Sequence, residues 1–165
     1  MKSSFLLPII LVSIFSCRQP SGHELQLQNR IDSLELKLSS TYKPGFGEFM
    51  SAVQSHHAKL WFAGKNENWA LANFEIHEIM EALDGITKYQ SGRKESKLLP
   101  MLDPVLDSMN NAITQKNPLA FEKTYNLLTA TCNKCHQATE FGFNVVKIPD
   151  QPAFSNQSFQ VGKSH

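Results

Sequence analysis

Apolar residues recur along most of this chain at helical intervals, with polar residues filling the positions between them. Over residues 23–40 the stripe is Leu27, Ile31, Leu34 and Leu38, spaced by four, three and four residues. That two-heptad seam fits either a spacer helix or a small oligomerisation stalk, and Tyr42-Lys43-Pro44-Gly45 ends it. Four segments then repeat the rhythm. The first carries Phe46, Met50, Val53, His57 and Leu60, with a stop predicted at Gly64. The second begins after Asn66 or Asn68, either of which can cap it, and carries Trp69, Ala72, Ile76, Ile79, Leu83 and Ile86. The third has Asp103 as its expected N-cap and Pro104 at its first position, then Leu106, Met109 and Ile113, with a Pro-bent turn over 98–102 before it. The fourth repeats the device with Asn117-Pro118, then Phe121, Tyr125, Leu128, Cys132 and Cys135. Only residues 143–148 alternate as a strand would. Short connections between helices of similar length predict an all-α fold, an antiparallel four-helix bundle preceded by the spacer helix.

The N-terminus follows a different pattern. Met1-Lys2-Ser3-Ser4 is a short positive start, and an apolar run of about eleven residues follows it, half the length a bilayer-spanning helix needs. The run ends in Ile14-Phe15-Ser16-Cys17. This resembles the lipobox of bacterial lipoproteins, in which a small residue precedes a cysteine that is acylated and becomes the mature N-terminus. The alternative is an ordinary cleaved signal with an incidental cysteine. The expected organisation is therefore a signal peptide over 1–16, a tether lipidated at Cys17 and spacer helix over 17–44, the bundle over 45–138, and a C-terminal extension over 139–165. The product is exported, a cell-envelope lipoprotein facing the periplasm or the cell exterior, held to a membrane by its acyl chains.

Composition narrows the picture further. The 165 residues carry 16 Lys+Arg against 15 Asp+Glu, and removal of Lys2 with the signal leaves the mature chain neutral. Such a balance lacks the basic field that nucleic-acid binding requires. Three cysteines are too few for a disulfide framework.

Two of those cysteines lie in Cys132-Asn133-Lys134-Cys135-His136, the C-x-x-C-H attachment signature of c-type haem. Thiols three positions apart share one face of a helical turn, so each can form a thioether to a porphyrin vinyl, and the adjacent imidazole can ligate iron. A thioredoxin-like pair would sit at a helix N-terminus, whereas this one ends a helical stripe. A zinc site would need further ligands at familiar spacing, and a plain disulfide would leave His136 unused. The motif thus predicts one covalent haem c, with Cys132 and Cys135 as thioether residues and His136 as the metal ligand.

With the motif near the end of a helical chain, the sequence resembles the class II cytochromes c, the four-helix cytochrome c′ and c556 type. Segments such as His57-Ala58-Lys59-Leu60-Trp61-Phe62-Ala63-Gly64 and Pro152-Ala153-Phe154-Ser155-Asn156-Gln157 look like those of uncharacterised exported c-type cytochromes. The first resemblance implies a haem hung from the last helix and a distal residue early in the first. Met50 occupies that place and is expected level with His136. His57 lies about 10 Å further along at 1.5 Å per residue, His77 higher still, and Met101 less securely on the core face. His56 and His57 are expected to be hydrogen-bonded or surface histidines. The tail, with Phe141, Phe143, Phe154 and Phe159, could wrap the haem edge, with a loosely ordered terminus as the reading for its last half-dozen residues.

The function that follows is one-electron transfer with redox partner proteins, not enzymatic catalysis. A five-coordinate, cytochrome c′-like gas-binding or sensing protein is the alternative, with Met50 as core filling. A peroxidase would need a distal pair such as His57 with Glu48 or Glu75. Homo-oligomer formation through the seam stays open, and nothing in the sequence identifies a substrate.

Overall fold

The computed structural model describes residues 21–41, 43–152 and 154–162, so Cys17 and the signal peptide expected over 1–16 lie outside the described residues. The chain divides between Tyr42 and Lys43 into two compact units. The first holds α1, Gly22–Thr41. Ser21 and Glu24 start it with reciprocal bonds: the Glu24 N–H donates to Ser21 Oγ at 3.2 Å, and the Ser21 N–H donates to Glu24 Oε2 at 2.8 Å. Its seam residues Leu27, Ile31, Leu34 and Leu38 are all exposed.

The second unit holds α2 (Phe46–Lys65), α3 (Trp69–Tyr89), a 3-10 segment (Glu95–Leu102), α4 (Asp103–Thr114) and α5 (Pro118–Ala138). Every regular element among the described residues is helical, so the fold is all-α. Residues 143–148 form no strand. Their alternation joins no ladder among the described residues. No helix of the described chain is long and apolar enough to cross a membrane. Helix α2 packs on α3, α3 on α4, α4 on α5, and α5 returns to α2, while the 3-10 segment touches α3, α4 and α5. The apolar stripes turn inward. Leu60, Ile76, Ile86, Met109, Phe121, Tyr125 and Leu128 are all fully or almost fully buried.

Caps account for most helix boundaries. Asn68 Oδ1 accepts the Leu71 N–H at 3.2 Å, and Asn117 Oδ1 accepts the Ala120 N–H at 3.0 Å. Asp103 does not cap. The 3-10 segment with Pro100 inside it runs straight into α4, Leu102 and Asp103 both have right-handed helical backbone, and no side-chain cap is made there. Gly64 does not stop α2 either. The helix continues to Lys65, and the left-handed residue is Glu67, with φ 54°. Gly64 is needed for close approach instead: a Cβ there would sit 2.1 Å from Cζ of the Phe121 ring. The same reversal, with a non-glycine in the left-handed region, follows α4 at Lys116 (φ 50°) and α5 at Glu140 (φ 70°).

Candidate functional site

The α5 stripe leaves the apolar core at its C-terminal end, where Cys132 is half-buried, Cys135 buried and His136 half-buried. These three side chains line a cavity of about 790 Å³, inside the range of roughly 300–1,000 Å³ that small-molecule and cofactor sites occupy. Met50, Val53 and His57 of α2 line it as well, with Ile79 and Leu83 of α3 and Leu99 and Leu102 of the 3-10 segment. The chain after α5 contributes Phe141 and residues 144–147. The structure thus brings Met50, Cys132, Cys135 and His136 to one cavity. His56, His77 and Met101 do not line it.

Both cysteines are free thiols. Burial pushes Cys132 up to about 11, with Cys135 beside it adding to the effect. Cys135 is raised as well, by burial first and then by the Glu95 carboxylate nearby. Both are therefore protonated at neutral pH, the opposite of the activated thiolate that a thiol–disulfide catalyst uses. Among the described residues no three His, Cys, Asp or Glu side chains cluster closely enough to hold a bare ion. The sulfur and imidazole groups stand around a volume instead.

His57 and His136 are held in different ways. Tyr125 O–H donates to the main-chain oxygen of His57 at 2.7 Å, which leaves the phenolic oxygen to accept the His57 Nδ1–H at 2.9 Å. Nε2 then accepts the Thr129 hydroxyl at 3.0 Å. Burial lowers His57 to about 4, so the ring is neutral, as this arrangement requires. His136 uses only one ring nitrogen: Nδ1–H donates to the main-chain oxygen of Asn144 at 2.6 Å. Nε2 of His136 has no protein partner among the described residues.

His56 faces away from this arrangement. Its Nδ1 pairs with Glu75 Oε2 at 2.6 Å, and Glu75 is fully buried. Glu75 thus bonds His56 through Oε2 and makes no bond to His57, while its buried Oε1 has no hydrogen-bond partner among the described residues. His77 donates from Nδ1 to the Asn73 main-chain oxygen at 2.7 Å on an exposed face.

Charge enters at the edge of the cavity. Arg93 grips Glu95 through two bonds, Nε to Oε2 at 3.2 Å and Nη2 to Oε1 at 2.8 Å, and lies over the Phe46 ring at 5.0 Å. The guanidinium holds the Glu95 carboxyl below its ordinary range. Of the four tail phenylalanines only Phe141 lines the cavity. Phe143 is 83% exposed, and Phe159 packs on Phe62 with ring centroids 5.6 Å apart. Phe154 sits instead under Lys59, whose ammonium lies 5.0 Å from its ring centre.

Sequence reasoning missed the Tyr125–Thr129 lock on His57 and the contacts of Asn133. Both depend on residues distant along the chain. No family model, curated protein or solved structure matches this chain.

Proposed function

We propose that this protein is a c-type cytochrome that carries one covalent haem and transfers single electrons in the cell envelope. One observation supports the reading above the others: both thiols and the histidine of the Cys132–His136 pentapeptide line a single apolar-walled cavity of cofactor size, and a methionine of α2 lines the same cavity. In this reading α2–α5 form an antiparallel four-helix bundle of the class II kind. Cys132 and Cys135 hold the haem through thioethers, and His136 and Met50 are the iron ligands. The haem supplies a one-electron ferric–ferrous couple, and methionine opposite histidine raises its potential.

The chain's own residues supply the rest. The half-buried Cys132 and the buried Cys135 are both held as protonated thiols, kept from premature ionisation. His136 presents Nε2 because Nδ1 is committed to Asn144. Ile79, Leu83, Leu99 and Leu102 exclude water from the cavity wall, and a drier site shifts redox potentials. His57 offers no lone pair to a metal, since both ring nitrogens are bonded to Tyr125 and Thr129. The lipobox-like segment adds an exported lipoprotein acylated at Cys17.

The test is a haem stain of the denatured protein with Cys132→Ala, Cys135→Ala and the double variant beside the wild type. The wild type should stain and the double variant should not. An unstained wild type purified from a haem-attaching host would overturn the proposal. A second reading, a five-coordinate gas-binding protein, draws on the apolar cavity wall around Met50. Absorption spectra separate the two, since low-spin iron favours electron transfer and high-spin iron that binds carbon monoxide favours gas binding. Mass spectrometry of the mature N-terminus tests acylation at Cys17.

A further inference from the structure

The chain that follows α5 turns back across the pentapeptide, and a residue inside the pentapeptide pins it there. Asn133 Nδ2–H donates to the main-chain oxygen of Val146 at 2.8 Å, and the Val146 N–H donates to Asn133 Oδ1 at 2.8 Å. One amide side chain thereby satisfies both main-chain groups of a residue thirteen positions away, as a neighbouring strand would. Two residues before Val146, the main-chain oxygen of Asn144 accepts the His136 Nδ1–H at 2.6 Å. The intervening turn is closed by the Phe141 N–H to His136 O at 2.7 Å and the Asn144 N–H to Phe141 O at 2.8 Å. Residues 144–147 also line the cavity.

We propose that Asn133 is a positioning residue for His136: by clamping Val146 it holds the Asn144 carbonyl on Nδ1, which fixes the tautomer and orientation of the ring and strengthens Nε2 as a donor. The inference rests on the haem reading above and specifies how this chain tunes that site. A hydrogen bond to the far nitrogen of a ligating imidazole sets its tautomer and raises its basicity. A more basic ligand favours ferric over ferrous iron and lowers the potential. The two middle positions of the pentapeptide are free in the attachment chemistry, which needs only the thiols and the imidazole, so the choice of asparagine at the first is this chain's own device.

The experiment uses the full haem-loaded chain. Asn133→Ala, and Asn133→Ser as a second neutral variant too short to span both groups, are compared with Asn126→Ala, a neutral change at an exposed position of α5 that does not line the cavity. Amide exchange at Val146 reports the clamp, and the midpoint potential reports the histidine. Both Asn133 variants should lose Val146 protection and raise the potential, with a change of about tenfold in the reduced-to-oxidised ratio at fixed potential, the size typical of a lost outer partner. For one electron that is about 59 mV. Asn126→Ala should leave the potential in place. In the haem-free wild type, the nitrogen shifts of His136 should report the Nδ1–H tautomer, and the Asn133 variants should lose that bias. A stained Asn133 variant with Val146 deprotected and an unchanged potential overturns this inference alone. A wild type that never stains overturns the haem reading with it.

Discussion

His57 and His136 line the same cavity, and the difference between them lies in what each ring has left to give. His57 is 4% exposed, and both of its nitrogens meet buried hydroxyls, those of Tyr125 and Thr129. His136 is half-buried and has one nitrogen tied to a main-chain oxygen. A buried imidazole needs two partners to avoid a desolvation cost of about 1–3 kcal/mol per unmade bond. A ligand needs one partner and one free lone pair. The comparison shows that occupancy of the ring nitrogens, more than proximity to a cavity, separates a structural histidine from a candidate ligand. Under the proposed haem reading, Met50, the other donor on the α2 wall, takes the place that His57 cannot fill.

The comparison breaks most visibly if the two histidines are exchanged in importance. His136→Ala should reduce haem content, read by the pyridine haemochrome assay, by about tenfold or more, since loss of an outer partner alone costs that much. His57→Ala should retain haem at close to the wild-type level. Next in size is Met50→Ala, which should convert low-spin to high-spin iron in the absorption spectrum and lower the potential. A high-spin wild type would instead make Met50 part of the apolar wall. His57→Ala should leave the spin state alone and lower stability to urea by about 2–4 kcal/mol, the range for emptying a buried site. Its cost is mainly the cavity. Tyr125 O–H keeps the main-chain oxygen of residue 57, and the Thr129 O–H released from Nε2 turns to the Tyr125 main-chain oxygen 3.0 Å away.

Much of this could be read along the chain because it is local. The stripes at three- and four-residue spacing, the asparagine caps at 68 and 117, and the Cys132–His136 pentapeptide each depend on neighbours within one or two turns. Contacts across the fold leave no such trace. The His57–Tyr125 pair is 68 positions apart, and Asn133 and Val146 are separated by thirteen residues of helix end and turn. Gly64 shows how a local rule misleads. Glycine near a helix end reads as a stop, but here the absent side chain makes room for Phe121, and Glu67 takes the left-handed conformation. Asp103 fails for a related reason, because a cap needs a chain arriving in a non-helical conformation and the 3-10 segment delivers a helical one.

The smallest effect is a pH dependence that belongs to His57. Burial holds its folded value at about 4, against 6.5 for a free imidazole. Between those two values the unfolded chain binds a proton that the folded chain does not, so stability rises with pH across the window and falls as pH is lowered through it. The contribution is complete above about 6.5 and lost below about 4. At pH 5.5 the folded protein should be about 1.4 kcal/mol less stable than at neutral pH, one pKa unit's worth of free energy. Urea unfolding at pH 7.5, 6.5, 5.5 and 4.5 measures it, and His57→Ala should flatten the profile above pH 5. Glu95 and Glu140 also stabilise the folded state, but their carboxyls lie below their ordinary values, so their share is lost only at more acidic pH. A slope between pH 5 and 6.5 that persists in His57→Ala would mean that the lock on His57 is looser than its bonds to Tyr125 and Thr129 require, and the contrast with His136 would lose its physical basis.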